Sequence, residues 1–268
     1  MKKAFPSILL AAALLAASAG AWADAAGDFV RAIKQDYASA ITDLLNQGVD
    51  PNIRDPRGVP VLYMALQEES LNAARAMLAS PRLNPNLLTP TDESPLMMAA
   101  LKGQLDIART LIAKGAAVNK TGWTPLHYAA TGGHAQIISL LIERGAQLDA
   151  PSPNGSTPLM MAALYGNPES VQTLLRAGAD PRQRNESGMD ALDFAASGER
   201  TDMVELLTQA QRRAPATAPA PDVAVQMPPG SLDTLFGQRR APKPQSATPP
   251  PPSLPLPPPK PPVLRGSW

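Results

Sequence analysis

One short segment recurs along this chain at a nearly constant spacing, and that recurrence constrains the fold more than any other feature. The clearest copy runs from Thr124 to His134 (TPLHYAATGGH), and others begin at Ser94 (SPLMMAALKGQ) and Thr157 (TPLMMAALYGN). A leucine takes the same place in each copy, including two weaker ones, at Leu62, Leu96, Leu126, Leu159 and Leu192, so the steps are 34, 30, 33 and 33 residues. This period predicts an array of small similar units stacked side by side.

Each position of the segment has a packing role that predicts two helices per unit. Threonine and proline, as in Thr124-Pro125, are expected to cap and open an inner helix. The leucine and two alanines then face an outer helix, whose apolar residues follow one-face spacing. A glycine is expected to end the inner helix in a left-handed turn at Gly103, Gly133 and Gly166. The default role of every repeated position is therefore structural.

The period and the T-P-L-H-x-A pattern resemble the ankyrin-repeat family. The resemblance implies an all-α repeat solenoid in which a helix-turn-helix alternates with a short β-hairpin or loop. It covers residues 24–213 as about six units, of which three are clear, two are weaker and the N-terminal one is degenerate. Terminal units are expected to be atypical because their outer faces meet water.

Two departures from a uniform pattern carry further expectations. The 30-residue step between Leu96 and Leu126 predicts a hairpin that is three residues shorter than usual at residues 119–122. The resemblance implies that His127 forms a hydrogen bond with the backbone of the next repeat. Met97, Met160 and Asp193 stand where His127 does, and Asp190 stands in the place of Thr124. We expect this network to be weaker in their repeats.

The two ends of the chain differ from the array in composition. Residues 1–23 have a lysine pair, an apolar run and a small-x-small site ending at Ala23, which predicts a secretory signal cleaved there. An uncleaved membrane anchor is the alternative. The style of signal indicates a bacterial exported protein, most readily periplasmic, with no membrane span after cleavage.

The C-terminal segment, residues 214–268, holds 17 of the 31 prolines and a small excess of basic residues. Such a composition predicts a disordered, proline-rich tail that is extended and biased towards polyproline II. Within it, Leu232, Leu235 and Phe236 have helical spacing and could dock in a groove as one turn. The plainer role of the tail is that of a spacer or tether.

The sequence contains no motif for catalysis, a metal or a cofactor, and none is expected. There are no cysteines and only two histidines, His127 and His134, so a typical zinc site is excluded. The glycines fit helix ends and not phosphate or dinucleotide loops. The charges are not concentrated into the basic face of a nucleic-acid binder. We therefore expect no enzyme activity.

Partner binding is the function that the resemblance implies, through hairpin tips and the exposed side of the inner helices, which line a concave face. We expect this protein to be monomeric on its own and to bind a protein. Carried over by position, the candidate contact residues are Arg57, Gln67, Glu68, Glu93, Leu101, Lys102, Trp123, Thr131, Asn154, Leu164, Tyr165 and Met189.

Several of these candidates have a structural alternative. Trp123, Leu164 and Tyr165 could anchor a partner, since aromatic residues are favoured in interfaces, or they could pack within the array. A set of methionines recurs at equivalent positions of two repeats. These methionines either form an oxidisable strip or fill the interface between repeats. This set consists of Met97, Met98, Met160 and Met161.

The functional prediction is a non-catalytic periplasmic scaffold that binds a protein through the concave face. Two alternatives follow from the same features. One is a secreted effector that binds a protein of a host cell, and the other is a cell-envelope spacer that uses the proline-rich tail.

Overall fold

A computed structural model describes residues 25–213, which form a stack of helix pairs without a β-strand in that range. An isolated antiparallel bridge joins Arg54 to Pro60, at the base of one of the loops between units. The expected all-α repeat solenoid is confirmed, with loops where short hairpins were anticipated. The predictions for residues 1–23 and 214–268, including Leu232, Leu235 and Phe236, lie outside the described residues.

The described residues contain twelve helices, numbered here in chain order. The first, α1, is described over residues 25–34. The others are α2 (Ala38–Asn46), α3 (Val61–Gln67), α4 (Leu71–Ala79), α5 (Pro95–Leu101), α6 (Leu105–Ala113), α7 (Pro125–Gly132), α8 (Ala135–Glu143), α9 (Pro158–Tyr165), α10 (Pro168–Arg176), α11 (Ala191–Ser197) and α12 (Thr201–Arg213).

The helices form two rows. The odd-numbered inner helices α3 to α11 pack against one another in order, and the even-numbered outer helices α2 to α12 do the same. Inner and outer helices of one unit meet through leucines and alanines that are fully buried, such as Leu96, Leu126 and Leu159. Each unit therefore buries its apolar face against its neighbours, as expected for a repeat array.

The starts of the inner helices follow from the repeated Thr-Pro or Ser-Pro pair. Thr124 accepts a hydrogen bond from the backbone N–H of His127, and Thr157 does so from Met160. Proline occupies the first helical position, where no N–H is needed. Asp190 replaces threonine in the last unit and caps α11 in the same way, accepting from the N–H groups of Leu192 and Asp193.

The residues that replace histidine keep the local part of its network. The sulfur of Met97 and that of Met160 each lie 3.3 Å from the backbone nitrogen of the capping residue. Asp193 accepts from the N–H of Asp190 at 3.0 Å. His127 differs because it also reaches the next repeat, so the substitutions remove the link between repeats and preserve the cap.

The predicted short hairpin is confirmed. The connection from α6 to α7 occupies residues 114–124, whereas the next two connections occupy residues 144–157 and 177–190. We call the projecting part of the loop between an outer helix and the following inner helix the finger. The finger that precedes α7 is therefore three residues shorter than the next two.

The prediction for the inner-helix glycines is right at two positions and wrong at the third. Gly103 and Gly133 have φ angles of +72° and +74°, in the left-handed region. Gly166 has φ −75° and ψ −148°, which leads directly into the cap of α10. A Cβ atom at Gly166 would lie 2.7 Å from the carbonyl oxygens of Ala130 and Ala162, so close backbone approach is what requires glycine there.

We expect Gly166→Ala to destabilise the array more than Gly145→Ala. Gly145 has φ +82° with no atom near a new Cβ, so its substitution costs only backbone strain, about 1–2 kcal/mol. At Gly166 the φ angle is negative, so the cost comes instead from a methyl group that meets fixed carbonyl oxygens of the preceding repeat and of its own helix, roughly 3 kcal/mol. Urea unfolding of both variants measures the difference, and equal midpoints would contradict the clash.

Candidate functional site

The junctions between repeats determine which polar groups remain free for a partner. The residue before each outer helix from α4 onward donates a side-chain hydrogen bond to a backbone carbonyl at the end of the preceding unit's inner helix. Carbonyls at helix ends lack part of their intrahelical bonding, and this bond supplies a partner from the next unit. The five donors and their acceptors are Ser70 to Ile33 (2.7 Å), Gln104 to Leu66 (2.9 Å), His134 to Leu101 (3.0 Å), Asn167 to Gly133 (2.8 Å) and Arg200 to Leu164 (3.3 Å).

A second set of ties joins the loops after the outer helices. Asn86 donates to the carbonyl of Gly115 and accepts from the N–H of Ala117 in the next unit, at 2.9 and 2.8 Å. Asn119 makes the same pair of bonds with Gly145 and Gln147. Asn119, in the short finger, therefore links two repeats through its side chain.

His127 is fully buried and joins its own cap to the next finger, which confirms the role implied by the resemblance. Its Nε2 lies 3.0 Å from the carbonyl oxygen of Ser156 and therefore carries the proton. Its Nδ1 accepts from the backbone N–H and the hydroxyl of Thr124, at 3.2 and 2.9 Å. Burial lowers the pKa of His127 to about 4, and the hydrogen bond to Ser156 only partly opposes that shift.

The predicted contact residues divide into exposed and partly buried groups, and none is fully buried. The exposed ones are Arg57, Gln67, Glu68, Lys102, Asn154 and Tyr165. The partly buried ones are Glu93, Leu101, Trp123, Thr131, Leu164 and Met189. The exposed ends of the inner helices and the finger tips together form what we call the concave face.

Most of the partly buried candidates are engaged within the array. Trp123 packs on the core and meets the ring of His127 edge to face, with centroids 5.3 Å apart. Leu101 and Leu164 also pack against the core. The hydroxyl of Thr131 donates to the carbonyl of His127 in its own helix. These side chains therefore contact the array beneath the concave face, and only part of each is available to a partner.

The exposed candidates are held by short-range polar contacts or extend into solvent. Arg57 pairs with Asp55 in the same finger, and Lys102 pairs with Glu69 of the previous unit at 2.9 Å. The backbone carbonyl of Asn154 accepts from the N–H of Glu186, which ties two fingers together. Tyr165, at the end of α9, is 36% exposed.

One carboxylate joins three successive units, and sequence reasoning did not find this cluster. Tyr63 in α3 donates to Glu93 Oε2 at 2.8 Å, and Tyr128 in α7 donates to Oε1 at 2.7 Å. Thr91 donates to Oε2 at 2.9 Å. Burial, and then the hydrogen bond to Glu93 and its charge, raises the pKa of both tyrosines well above the ordinary value of 10. We call Glu93, Thr91, Tyr63 and Tyr128 the carboxylate cluster.

The family described as ankyrin repeats (3 copies) matches the chain over residues 29–121, 81–152, 114–185 and 147–217. These overlapping matches cover more than half of the chain. The chain belongs to the ankyrin-repeat family. The bonds described above are therefore the contacts between successive ankyrin repeats of one array.

Curated relatives share this ankyrin region. A putative ankyrin repeat protein of Rickettsia bellii is 32% identical over 124 residues, 43% of this chain and 35% of the relative. Palmitoyltransferase AKR1 of Lachancea kluyveri is 28% identical over 130 residues, 46% of this chain and 18% of the relative. Protein phosphatase 1 regulatory subunit 27 of Mus musculus is 30% identical over 109 residues, 40% of this chain and 70% of the relative. The chain thus spans about a third or less of the first two proteins.

Two further properties of the described ankyrin array concern chemistry and membranes. Between residues 25 and 213, no three histidine, aspartate or glutamate side chains are grouped so that they could hold a metal ion. In the same part of the chain, no helix has both the length and the apolar character that crossing a bilayer requires.

The repeated methionines fill the interface between ankyrin repeats and do not form an exposed, oxidisable strip. Met97 and Met160 are each 1% exposed, and Met98 and Met161 are 5% and 7% exposed. Tyr128 occupies the place of Met98 and Met161 in its own inner helix, yet it is only partly buried. The array therefore opens to solvent beside the short finger.

The stability of the array should fall between pH 6.5 and about 4 because of His127. Its pKa is lower in the folded state than the ordinary 6.5, so its contribution is complete above pH 6.5 and is lost as the pH falls towards about 4. The loss is on the order of 3 kcal/mol, at about 1.4 kcal/mol per pKa unit. His127→Met is the matched control, since methionine stands there in two neighbouring repeats. The difference in unfolding free energy between wild type and variant should shrink over this range, and a constant difference would contradict the assignment.

Removing either tyrosine hydroxyl of the carboxylate cluster should destabilise the array. Hydrogen bonds to a charged group contribute about 1.5–3 kcal/mol, so we expect Tyr63→Phe and Tyr128→Phe each to cost roughly 1–2 kcal/mol. The control is Tyr165→Phe, whose exposed ring should lose almost nothing. Urea midpoints report the effect. Equal midpoints for Tyr63→Phe and Tyr165→Phe would show that the cluster contributes no stability.

Proposed function

We propose that this protein is a non-catalytic scaffold, exported to the bacterial periplasm, that binds a protein partner through the concave face of its ankyrin array. The observation that carries the proposal is the distribution of polar groups. Those at the junctions are engaged in links between repeats, whereas the ends of the inner helices present Gln67, Glu68 and Tyr165 to solvent.

The relatives support a binding role. One of them is named as a regulatory subunit of a phosphatase, and its likeness to this chain covers 70% of its length. The palmitoyltransferase shares only a small part of its length with this chain, so its activity does not extend to the array. Export is supported by the pattern of residues 1–23 and not by the fold.

Exposed residues of the concave face can test the proposal without disturbing the core. Purified protein is used to capture partners quantitatively from periplasmic extract, beside the double variant Gln67→Ala/Tyr165→Ala. We expect the variant to retain at least tenfold less of one specific protein, because aromatic anchors dominate many interfaces. Tyr37→Ala is the matched control, since Tyr37 is 58% exposed at the start of outer helix α2.

The other outcomes separate the alternatives. A partner retained equally by all variants would remove binding from the concave face. Capture of a protein only from culture medium or host-cell extract would favour a secreted effector. Capture of nothing but cell-wall material would favour a spacer that depends on the proline-rich segment. Either of the last two results would overturn the periplasmic scaffold.

A further inference from the structure

Among the residues that the structure describes, the carboxylate cluster has hydroxyl donors but no cation. A carboxylate has about four lone-pair positions, and the three hydroxyl groups of Tyr63, Thr91 and Tyr128 occupy three of them. Two of these bonds are made to Oε2 and one to Oε1. One acceptor position therefore remains on Oε1 of Glu93, the oxygen that also accepts from Tyr128.

The lysine that pairs with Asp92, the residue before Glu93, is already committed there. Lys120 pairs with Asp92 at 2.5 Å and also donates to the carbonyl of Thr121. Throughout residues 25–213, no lysine or arginine forms an ion pair with Glu93. The negative charge of Glu93 is thus partly withdrawn from water and is not compensated.

The cluster is accessible because of its position in the array. Glu93 and Tyr128 are both partly exposed, and α7 follows the finger that lacks three residues. At the place of Tyr128, the inner helices α3, α5, α9 and α11 carry Met64, Met98, Met161 and Phe194, which are all 9% exposed or less. Among the three clear repeats, all of which the structure describes, only the one that contains α7 exposes this position to solvent. There the position carries the aromatic ring of Tyr128, beside the carboxylate of Glu93.

We propose that Glu93 and Tyr128 form a recognition site for an arginine side chain in a basic segment of the partner protein. The guanidinium group donates to the free position on Oε1, and its flat face lies against the ring of Tyr128. Arginine suits the site better than lysine because its planar group can do both at once. This inference rests on the proposed function, since it gives the chemistry of the partner at the same face.

The test is a titration followed by ¹⁵N NMR, with purified protein and the peptide acetyl-Gly-Arg-Gly-amide. The citrulline peptide of the same sequence is its neutral control, with the same shape and no charge. We expect saturable shifts at the backbone amides of Thr91, Glu93 and Tyr128, and at least tenfold weaker binding of the citrulline peptide. Equal binding of both peptides, or no localised shift with arginine, would overturn the proposal.

Three variants distinguish recognition from support of the fold. Glu93→Gln should weaken arginine binding at least tenfold, whereas Glu169→Gln, which removes an exposed carboxylate on outer helix α10, should leave it unchanged. Tyr128→Phe keeps the ring and frees a second position on Oε1, so binding should be retained or become tighter. If Tyr128→Phe abolishes binding as Glu93→Gln does, the cluster only supports the fold and the proposal fails.

The peptide titration tests the arginine site and the partner capture tests the scaffold, and either result can be negative while the other is positive. Loss of the arginine site would leave the scaffold intact if a partner still depends on Gln67 and Tyr165. If no partner is captured while the arginine peptide still binds through Glu93, the scaffold is overturned and the cation site stands.

Discussion

The array depends on side-chain hydrogen bonds that cross from one repeat to the next. Its inner helices contain only seven or eight residues from α3 onward, too few to be stable in isolation. Burial of leucine and alanine holds the repeats together without specifying their alignment. The donors at the starts of the outer helices, such as Gln104 and Asn167, fix it because each must meet one carbonyl of the preceding unit.

These donors share a position but not a chemical type. A hydroxyl, an amide, an imidazole and a guanidinium all reach the same kind of carbonyl at the same place in the repeat. Because the requirement is for a donor of suitable length, selection of one residue type is weak there. The pattern of leucine, alanine and glycine is much more uniform, since close helix packing tolerates few shapes. Variation in the repeat therefore does not by itself indicate a functional surface.

In the carboxylate cluster, Glu93 both joins neighbouring repeats and serves as the proposed acceptor for arginine. Glu93 was predicted to be a free contact at a finger tip, and the structure shows it joined to Tyr63 and Tyr128 in the repeats on either side. A carboxylate held by three hydroxyl groups is already oriented, which reduces the entropy lost when a cation binds. The short finger beside it leaves the cluster open. The short finger, a local irregularity of the repeat, thus lies beside the partly exposed carboxylate of Glu93.

The sequence by itself determined the repeat, the helix pairs, the caps at Thr124 and Thr157, the short finger and the tie from His127. The first four depend on neighbouring residues or on a period that is visible in the chain, whereas the tie from His127 was implied by the family resemblance that this pattern carries. Only the tertiary structure decided that Trp123 packs on His127, that Gly166 is required by close backbone approach, and that Tyr63 and Tyr128 meet at Glu93. Those contacts join residues that lie in different units or depend on how the units stack. Their partners are set by the three-dimensional distance between repeats, which no local pattern specifies.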